Sequence, residues 1–394
     1  MGSILNFKYI KLSVNKIMKP KKNIYIIGAL PSSLFNFRGE LVKALAKFNK
    51  VTCMACDAVD SEISIINNLG SEYIDYPVQR NGMNPIKDLK TFLFFKKMFN
   101  ADQNSVILAY TIKPIIWGGL AARICKVDSF YAMVTGLGYA FQKGGRAKNL
   151  LNKLVKVLYR MALNNASGVI FQNKDNMQLF IDQGIISRDK CHIVNGSGID
   201  LSHFELEPLP SNPRFLLVAR LLGDKGIREY YKAARIVKKK YPGVDFELIG
   251  PEDPSPDGIG IQEVNQWVEE GVISYGGATN DVRPYLKRCS TFVLPSYHEG
   301  LPRTVLEAMS MGRPILTTDV PGCRETVVEG ANGWLVEKAS IEELAERMIW
   351  FIENPEAWSK MGALSHQMAF DKFDVHKVNA DILNVMGLNY EKTF

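Results

Sequence analysis

Short β-branched apolar runs recur along the whole chain, and stretches with helical spacing separate them. In the first half, Lys21–Ala29 (KKNIYIIGA), Val51–Ala55, Val106–Ala109, Phe130–Val134 and Gly168–Phe171 read as buried strands, and Arg38–Phe48 as a helix. The pattern restarts at Arg214–Ala219 (RFLLVA). A glycine-flanked turn, Gly223–Gly226, leads to a helix through Tyr230–Lys239. Asp245–Ile249, Val272–Tyr275, Thr291–Leu294 and Pro314–Thr317 then repeat the strand theme. Such alternation predicts parallel sheets covered by helices on both faces. A length of 394 residues exceeds one ordinary core, at roughly 100–200 residues per domain. Leu206–Pro213 (LEPLPSNP) carries three prolines among eight residues and is the expected linker.

The fold class is therefore α/β, with two doubly wound domains facing each other across a cleft. The expected division is an arm or cloning scar over 1–22, a first domain over 23–205, a second over 206–373, and a C-terminal helix over 374–394 that packs back on the first domain. Open parallel sheets bind ligands beyond the carboxyl ends of their strands, which places the site in the cleft.

Composition narrows the function classes. With 46% apolar and 23% charged residues, the chain is neither disordered nor fibrous. It has no uninterrupted apolar run of about 18 residues, and its N-terminus lacks the apolar core and cleavage site of a secretory signal. Six unevenly spaced cysteines read as reduced thiols, and Cys53-x-x-Cys56 has no second half of a zinc site. Charge is asymmetric: residues 1–200 hold 27 Lys+Arg against 13 Asp+Glu, whereas residues 201–394 hold 21 against 28. A basic half suits an anionic membrane surface, a phosphorylated substrate or nucleic acid. No recognition helix or stacking motif supports the last, so no nucleic-acid partner is expected.

Three segments carry chemistry. In PSYHEGLPRTVLE (Pro295–Glu307) a strand feeds a loop with Glu299, Gly300, Leu301 and Pro302, and a helix then carries Glu307. Free N–H groups at such a helix start favour phosphate, and carboxylates there hydrogen-bond sugar hydroxyls. In VARLLGDKG (Val218–Gly226), Arg220 and Lys225 follow a strand, a pair of cations suited to a diphosphate. In VTGLGYAF (Val134–Phe141), Gly136 and Gly138 make a tight loop. No Walker continuation, H-E-x-x-H, nucleophile elbow or D-x-D is present, so no metal and no cofactor are expected. His298, beside Glu299, fits packing better than catalysis.

SYHEGLPRTVLEAMSMGRPILTTDVPGCRETVVEGANGWLV (Ser296–Val336) resembles the donor-binding signature of the family 4 retaining glycosyltransferases, which have the GT-B fold of two Rossmann-like domains. VARLLGDKG is similar to the family's diphosphate-binding strand and loop, and VNGSGIDLSHF (Val194–Phe204) to its interdomain crossing. The resemblance spans about Asn23 to Phe373. VTGLGYAF and YTIKP (Tyr110–Pro114) look most like the bacterial capsular and lipid-linked oligosaccharide branch, which includes N-acetylgalactosaminyltransferases acting on undecaprenyl-diphosphate sugars.

The resemblance implies a metal-independent, retaining hexosyltransferase or N-acetylhexosaminyltransferase using a UDP-sugar. Its implied acceptor is an undecaprenyl-diphosphate saccharide, in surface polysaccharide assembly. Glu299, Arg220 and Lys225 would act in catalysis. Glu307 would hold the ribose, and Gly300, Leu301, Pro302, Thr304, Val305 and Gly136 would line the donor site. Gly28, Arg38, Lys113 and Gly138 would face the acceptor. Many relatives carry a histidine where this chain has Thr135-Gly136, so the loop backbone is expected to serve instead. Two alternatives stand beside this reading: a sugar-nucleotide 2-epimerase and a non-catalytic nucleotide-sugar-binding subunit.

A lipid acceptor implies a peripheral position on the inner face of the cell membrane. Two stretches suit it. Asn149–Ala162 sets Leu151, Leu154, Val155, Leu158, Met161 and Ala162 opposite Asn152, Lys153, Lys156 and Arg160. Lys87–Phe99 mixes lysines with Phe92, Phe94, Phe95 and Phe99.

Overall fold

The computed structural model describes residues 22–79, 82, 84–137, 141 and 145–388, with the backbone alone at 146–148. Gly138 and nearly all of the 1–22 segment lie outside the described residues. Two fully parallel sheets organise the chain. The first has seven strands: β1 Asn23–Ile27, β2 Lys50–Ala55, β3 Glu72–Asp75, β4 Val106–Tyr110, β5 Ser129–Val134, β6 Gly168–Phe171 and β7 Cys191–Ile193. Their spatial order is β3-β2-β1-β4-β5-β6-β7. The second has β8 Arg214–Val218, β9 Asp245–Ile249, β10 Ser274–Tyr275, β11 Thr291–Leu294, β12 Ile315–Thr318 and β13 Gly333–Val336, in the order β10-β9-β8-β11-β12-β13. Each order reverses direction beside its first strand, between β1 and β4 and between β8 and β11. Those switch points are where a crevice opens in a doubly wound sheet.

Central strands are apolar on both faces because helices cover both. Cys53 of β2 lies in the core on one face of the first sheet and Cys56 in the core on the other. Burial pushes the Cys53 thiol up to about 11. The phenylalanines of the helix Pro85–Ala101 belong to this packing too. Phe95 and Phe99 are fully buried, with ring centroids 5.7 Å apart, so they are core rather than membrane contacts.

The chain crosses between domains at Gly198–Ile199 and returns at Phe373–Val375. The Ile199 N–H donates to the Phe373 carbonyl at 2.7 Å, and the Val375 N–H to the Ile199 carbonyl at 3.0 Å. Gly198 has φ +69, and a Cβ there would sit 2.5 Å from Val375 Cα, so the paired crossing needs a glycine. The final helix Val375–Val385 contributes Val378 and Ile382 to the same core cluster as Ile24, Leu41 and Leu45 of the first domain.

The proline-rich stretch Leu206–Pro213 is not the crossing. It is a strap on the second domain, held by Arg313, whose side chain is completely buried. The Arg313 guanidinium donates to the carbonyls of Glu207, Pro208, Cys289 and Met311. Prolines leave carbonyls without a neighbouring N–H partner, and one arginine fork collects them. Arg313→Met should lower unfolding free energy by about 3 kcal/mol, because several carbonyls lose a charged donor at once. Urea unfolding followed by circular dichroism would measure it; a loss under about 1 kcal/mol would show that the strap is held otherwise.

Candidate active site

Both switch points open into one cavity of about 1030 Å³ between the sheets. After β8, the chain runs through Ala219 and Arg220 into the turn Gly223–Lys225. It then enters the helix Ile227–Lys240 through Gly226, at φ +69. A Cβ on Gly226 would stand 2.1 Å from the Pro295 carbonyl, so this turn and the loop after β11 pack at backbone distance. That approach carries Lys225 to Glu299: Nζ to Oε1 is 2.6 Å, with both side chains only 15% exposed. The Ser296 hydroxyl donates to the same oxygen at 2.7 Å. Burial alone would lower the Lys225 ammonium, but Glu299, with help from Asp224, raises it above the ordinary lysine value. It stays charged in the cavity wall.

Arg220 also lines the cavity. It is half-exposed and pairs with the buried carboxylate of Asp253. Asp253 lies below the usual carboxylate range, because hydrogen bonds from Ser255 and the charge of Arg220 outweigh its burial. Pro302 caps the helix Arg303–Ser310 with no side-chain hydrogen bond, and Leu301, Pro302 and Thr304 face the cavity. Glu307 is one turn further in, nearly buried, with its Oε1 3.0 Å from Nε of Arg303. Burial pushes its carboxyl above the ordinary value, and Arg303 opposes this only in part. Arg303 also reaches the carbonyl of Asn36 and lies 5.5 Å from the Phe37 ring centroid, both on the opposite domain.

The first domain supplies the other wall. Arg38 and Lys113 both line it. Lys113 is paired with Asp88 at 2.7 Å. Arg38 is 2% exposed, and burial brings its guanidinium down to about 10. Beside it, the Tyr110 and Ser33 hydroxyls are 2.8 Å apart.

Other expected residues are placed differently. Gly28 offers no free backbone group: its N–H bonds Met54, its carbonyl accepts from Tyr76, and the Tyr110 ring fills the space a Cβ would take. Val305 is fully buried in the second domain's core, with its N–H on the Pro302 carbonyl, so it does not reach the cavity. Gly300 and Gly136 meet at the domain junction rather than on the cavity wall. The Gly300 carbonyl accepts from Asn173 at 2.7 Å, and a Cβ on Gly136 would come within 4.0 Å of the Gly300 nitrogen. His298 packs at the same junction, 3.2 Å from the Asn176 side-chain oxygen, and its burial holds the imidazole below the ordinary value.

Sequence reasoning missed Arg303, whose position four residues before Glu307 on a helix was a readable signal. It also missed Asp253 and Asn173, which only tertiary structure brings to the site.

Arg220, Lys225 and the uncapped start of the helix Arg303–Ser310 thus share one cavity, with the Glu299 and Glu307 carboxylates at two depths, a set whose chemistry suits a diphosphate and hydroxyl groups. The family model described as glycosyl transferases group 1 matches residues 199–367, and glycosyl transferase 4-like matches 31–173. Among curated relatives, the N,N'-diacetylbacillosaminyl-diphospho-undecaprenol alpha-1,3-N-acetylgalactosaminyltransferase of Campylobacter jejuni is 29% identical, covering 82% of this chain and 87% of its own. A UDP-Gal:alpha-D-GlcNAc-diphosphoundecaprenol alpha-1,3-galactosyltransferase of Escherichia coli is 24% identical, covering 67% of this chain and 70% of its own. A solved glycosyltransferase from Rickettsia africae superposes with TM-score 0.74 at 16% identity, over 93% of this chain and 98% of its own. Anabaena HepE in complex with UDP superposes with TM-score 0.73 at 17% identity, over 93% and 99%.

Proposed function

We propose that this chain, which belongs to the group 1, family 4-like glycosyltransferases, moves an N-acetylhexosamine from a UDP-sugar to an undecaprenyl-diphosphate-linked saccharide. The carrying observation is the Lys225–Glu299 pair, set beside Arg220 in a cavity that both domains line. The C1–O bond to the β-phosphate breaks, and an acceptor hydroxyl oxygen bonds C1 on the same face, so configuration is retained. The hydroxyl proton passes to the departing phosphate oxygen. Arg220 and Lys225 stabilise the negative charge that gathers on UDP, which is the task a divalent metal performs elsewhere, and the reaction therefore proceeds without one. Glu299 accepts hydrogen bonds from donor-sugar hydroxyls, and Glu307 from the ribose. The relatives from Campylobacter jejuni and Escherichia coli, whose names specify diphosphoundecaprenol-linked acceptors, support the acceptor class.

The test is a panel of UDP-hexoses and UDP-N-acetylhexosamines with a short prenyl-diphosphate saccharide in excess EDTA. The anomeric configuration of the product is read by NMR. Transfer with retention is expected. Turnover of a UDP-sugar alone into its epimer would point to the epimerase. Tight binding of a UDP-sugar with no turnover on any acceptor would point to a binding subunit.

Glu307 sets a pH dependence. Its raised carboxyl must lose its proton before it can accept from two ribose hydroxyls. Affinity for a UDP-sugar should therefore fall with acid at a pH above the ordinary glutamate range. The sugar diphosphate itself stays ionised throughout. Calorimetry between about pH 8 and about pH 5 should show this limb in the wild type and none in Glu307→Gln.

The acceptor's lipid places the enzyme at a membrane surface. Among the described residues no helix is long and apolar enough to cross one. Two helices of the first domain instead expose apolar stripes: Ile86, Leu89 and Leu93 on Pro85–Ala101, and Leu150, Leu154, Val157 and Met161 on Arg146–Leu163. Both helices pack against Pro114–Ile124, so the stripes share one side of the domain. Exposed Lys87, Lys90, Lys97 and Lys153 border them. The sequence-based face is only partly right, because Val155 and Ala162 turn inward with Tyr159. This side fits an anionic leaflet, with lysines at the headgroups and the stripes below them. Leu154→Glu with Val157→Glu should cut retention on phosphatidylglycerol vesicles about tenfold in flotation, while turnover on a soluble acceptor is kept. Equal flotation would count against this side.

A further inference from the structure

We propose that Arg38 and Arg303 form a second anion subsite in the cleft, which takes the diphosphate of the lipid-linked acceptor; this rests on the transferase reading above. Arg38 is 2% exposed, yet no carboxylate among the described residues pairs with it. Among the described residues its side chain makes one hydrogen bond, a long contact of 3.4 Å from its guanidinium to the Phe37 carbonyl. Its Nε is buried without a partner among the described residues, and its guanidinium lies 5.6 Å from the Tyr110 ring centroid. A buried cation left uncompensated is expensive, and it persists where an anion completes it.

The surroundings repeat that incompleteness. Thr111 follows β4 at φ +68, a left-handed conformation unfavourable for threonine, and its hydroxyl is also buried without a partner. The Ser33 and Tyr110 hydroxyls are satisfied by contrast: Ser33 donates to the Leu30 carbonyl at 2.6 Å and accepts from Tyr110 at 2.8 Å. All of these groups line the same cavity as Arg220 and Lys225. Those two cations, on the opposite wall, are the pair assigned to the donor diphosphate. Lys113 of the first wall is already paired with Asp88, so Arg38, joined by Arg303 from the second domain, is the cation left for a second diphosphate.

Arg303 connects the two subsites. It is held by Glu307 and by the Asn36 carbonyl, and its positive charge acts on Arg38. A ribose on Glu307 competes for that carboxylate and frees Arg303 to join Arg38. Donor binding then prepares the acceptor subsite instead of blocking it.

The test is calorimetric titration of geranyl diphosphate into protein with and without saturating UDP, which needs no turnover. Wild type should bind the probe, and UDP should leave that binding intact or tighten it. Arg38→Gln should weaken it about 10- to 100-fold, with Arg38→Lys between the two, while UDP affinity stays within about twofold. The melting temperature of Arg38→Gln should not fall, because an unpaired buried charge is removed; a packing role would lower it. Three results would overturn the subsite: probe binding abolished by UDP, probe binding unchanged in Arg38→Gln, or UDP binding weakened as much as probe binding. The transferase reading fails separately, by wild-type protein that does not bind UDP.

Discussion

Lys225→Ala should lose about 10²–10³ in kcat/KM and about 3–5 kcal/mol of stability. The two losses have different origins. In the proposed reaction the ammonium is one of two cations facing the donor diphosphate, and its contribution grows as the bond to C1 breaks. It is also the ion-pair partner of Glu299, 2.6 Å away, in a site where both side chains are nearly buried. Removing it leaves that carboxylate with the Ser296 hydroxyl and little else. Breaking a buried pair from one side is far more damaging than replacing both partners. Lys225→Met with Glu299→Leu should therefore recover most of the stability and none of the activity. Arg220→Ala is the useful contrast. Arg220 is half-exposed, so its pair with Asp253 is screened and contributes about 1 kcal/mol or less. It should lose about 10² in kcat/KM with little change in melting temperature. Equal melting temperatures for Lys225→Ala and wild type would show that the pair is not the buried contact described here.

The cavity formed where the alternation of strands and helices placed it, because the crevice follows from strand order alone. The strands that were hard to read were those at sheet edges. β3 (EYID) and β7 (CHI) are short and only half-buried, so they lack the apolar run that marks a central strand. The proline-rich strap misled for a related reason. Prolines signal extended chain, but only tertiary structure shows Arg313 gathering their carbonyls against the second domain.

At the site, residues within one segment were legible and pairs across segments were not. Glu299, Gly300 and Glu307 stand in one block, and Arg220 and Lys225 in another. That Lys225 reaches Glu299 and not a free phosphate, or that Asp253 holds Arg220, depends on how β8 and β11 lie side by side. Glycines were the least readable residues. Gly28 directly follows β1, where a glycine can open a loop to a ligand, yet it serves to admit the Tyr110 ring.

Gly300→Ala should lower kcat about 10²–10³-fold while leaving each domain folded. A Cβ at this position would stand 1.8 Å from the Thr135 carbonyl and 2.6 Å from the Gln172 side-chain oxygen. Both of those atoms belong to the first domain, so the clash falls between domains and not within the loop. Backbone cannot yield as a flexible side chain can. The domains must part, and with them the Gly300 carbonyl must leave Asn173. Arg220, Lys225, Glu299 and Glu307 all stay on the second domain, so UDP affinity should change only a few-fold, which separates closure from donor binding. What is lost is the approach of the acceptor wall to the donor and the exclusion of water. Gly136→Ala is the matched control, since among the described residues its Cβ would meet nothing nearer than 4.0 Å, and it should leave kcat within about twofold. Kinetics, UDP calorimetry and small-angle scattering on the two variants would decide the matter. A Gly300→Ala enzyme with wild-type kcat would mean that the contact between Gly300 and Thr135 is not part of the reacting state.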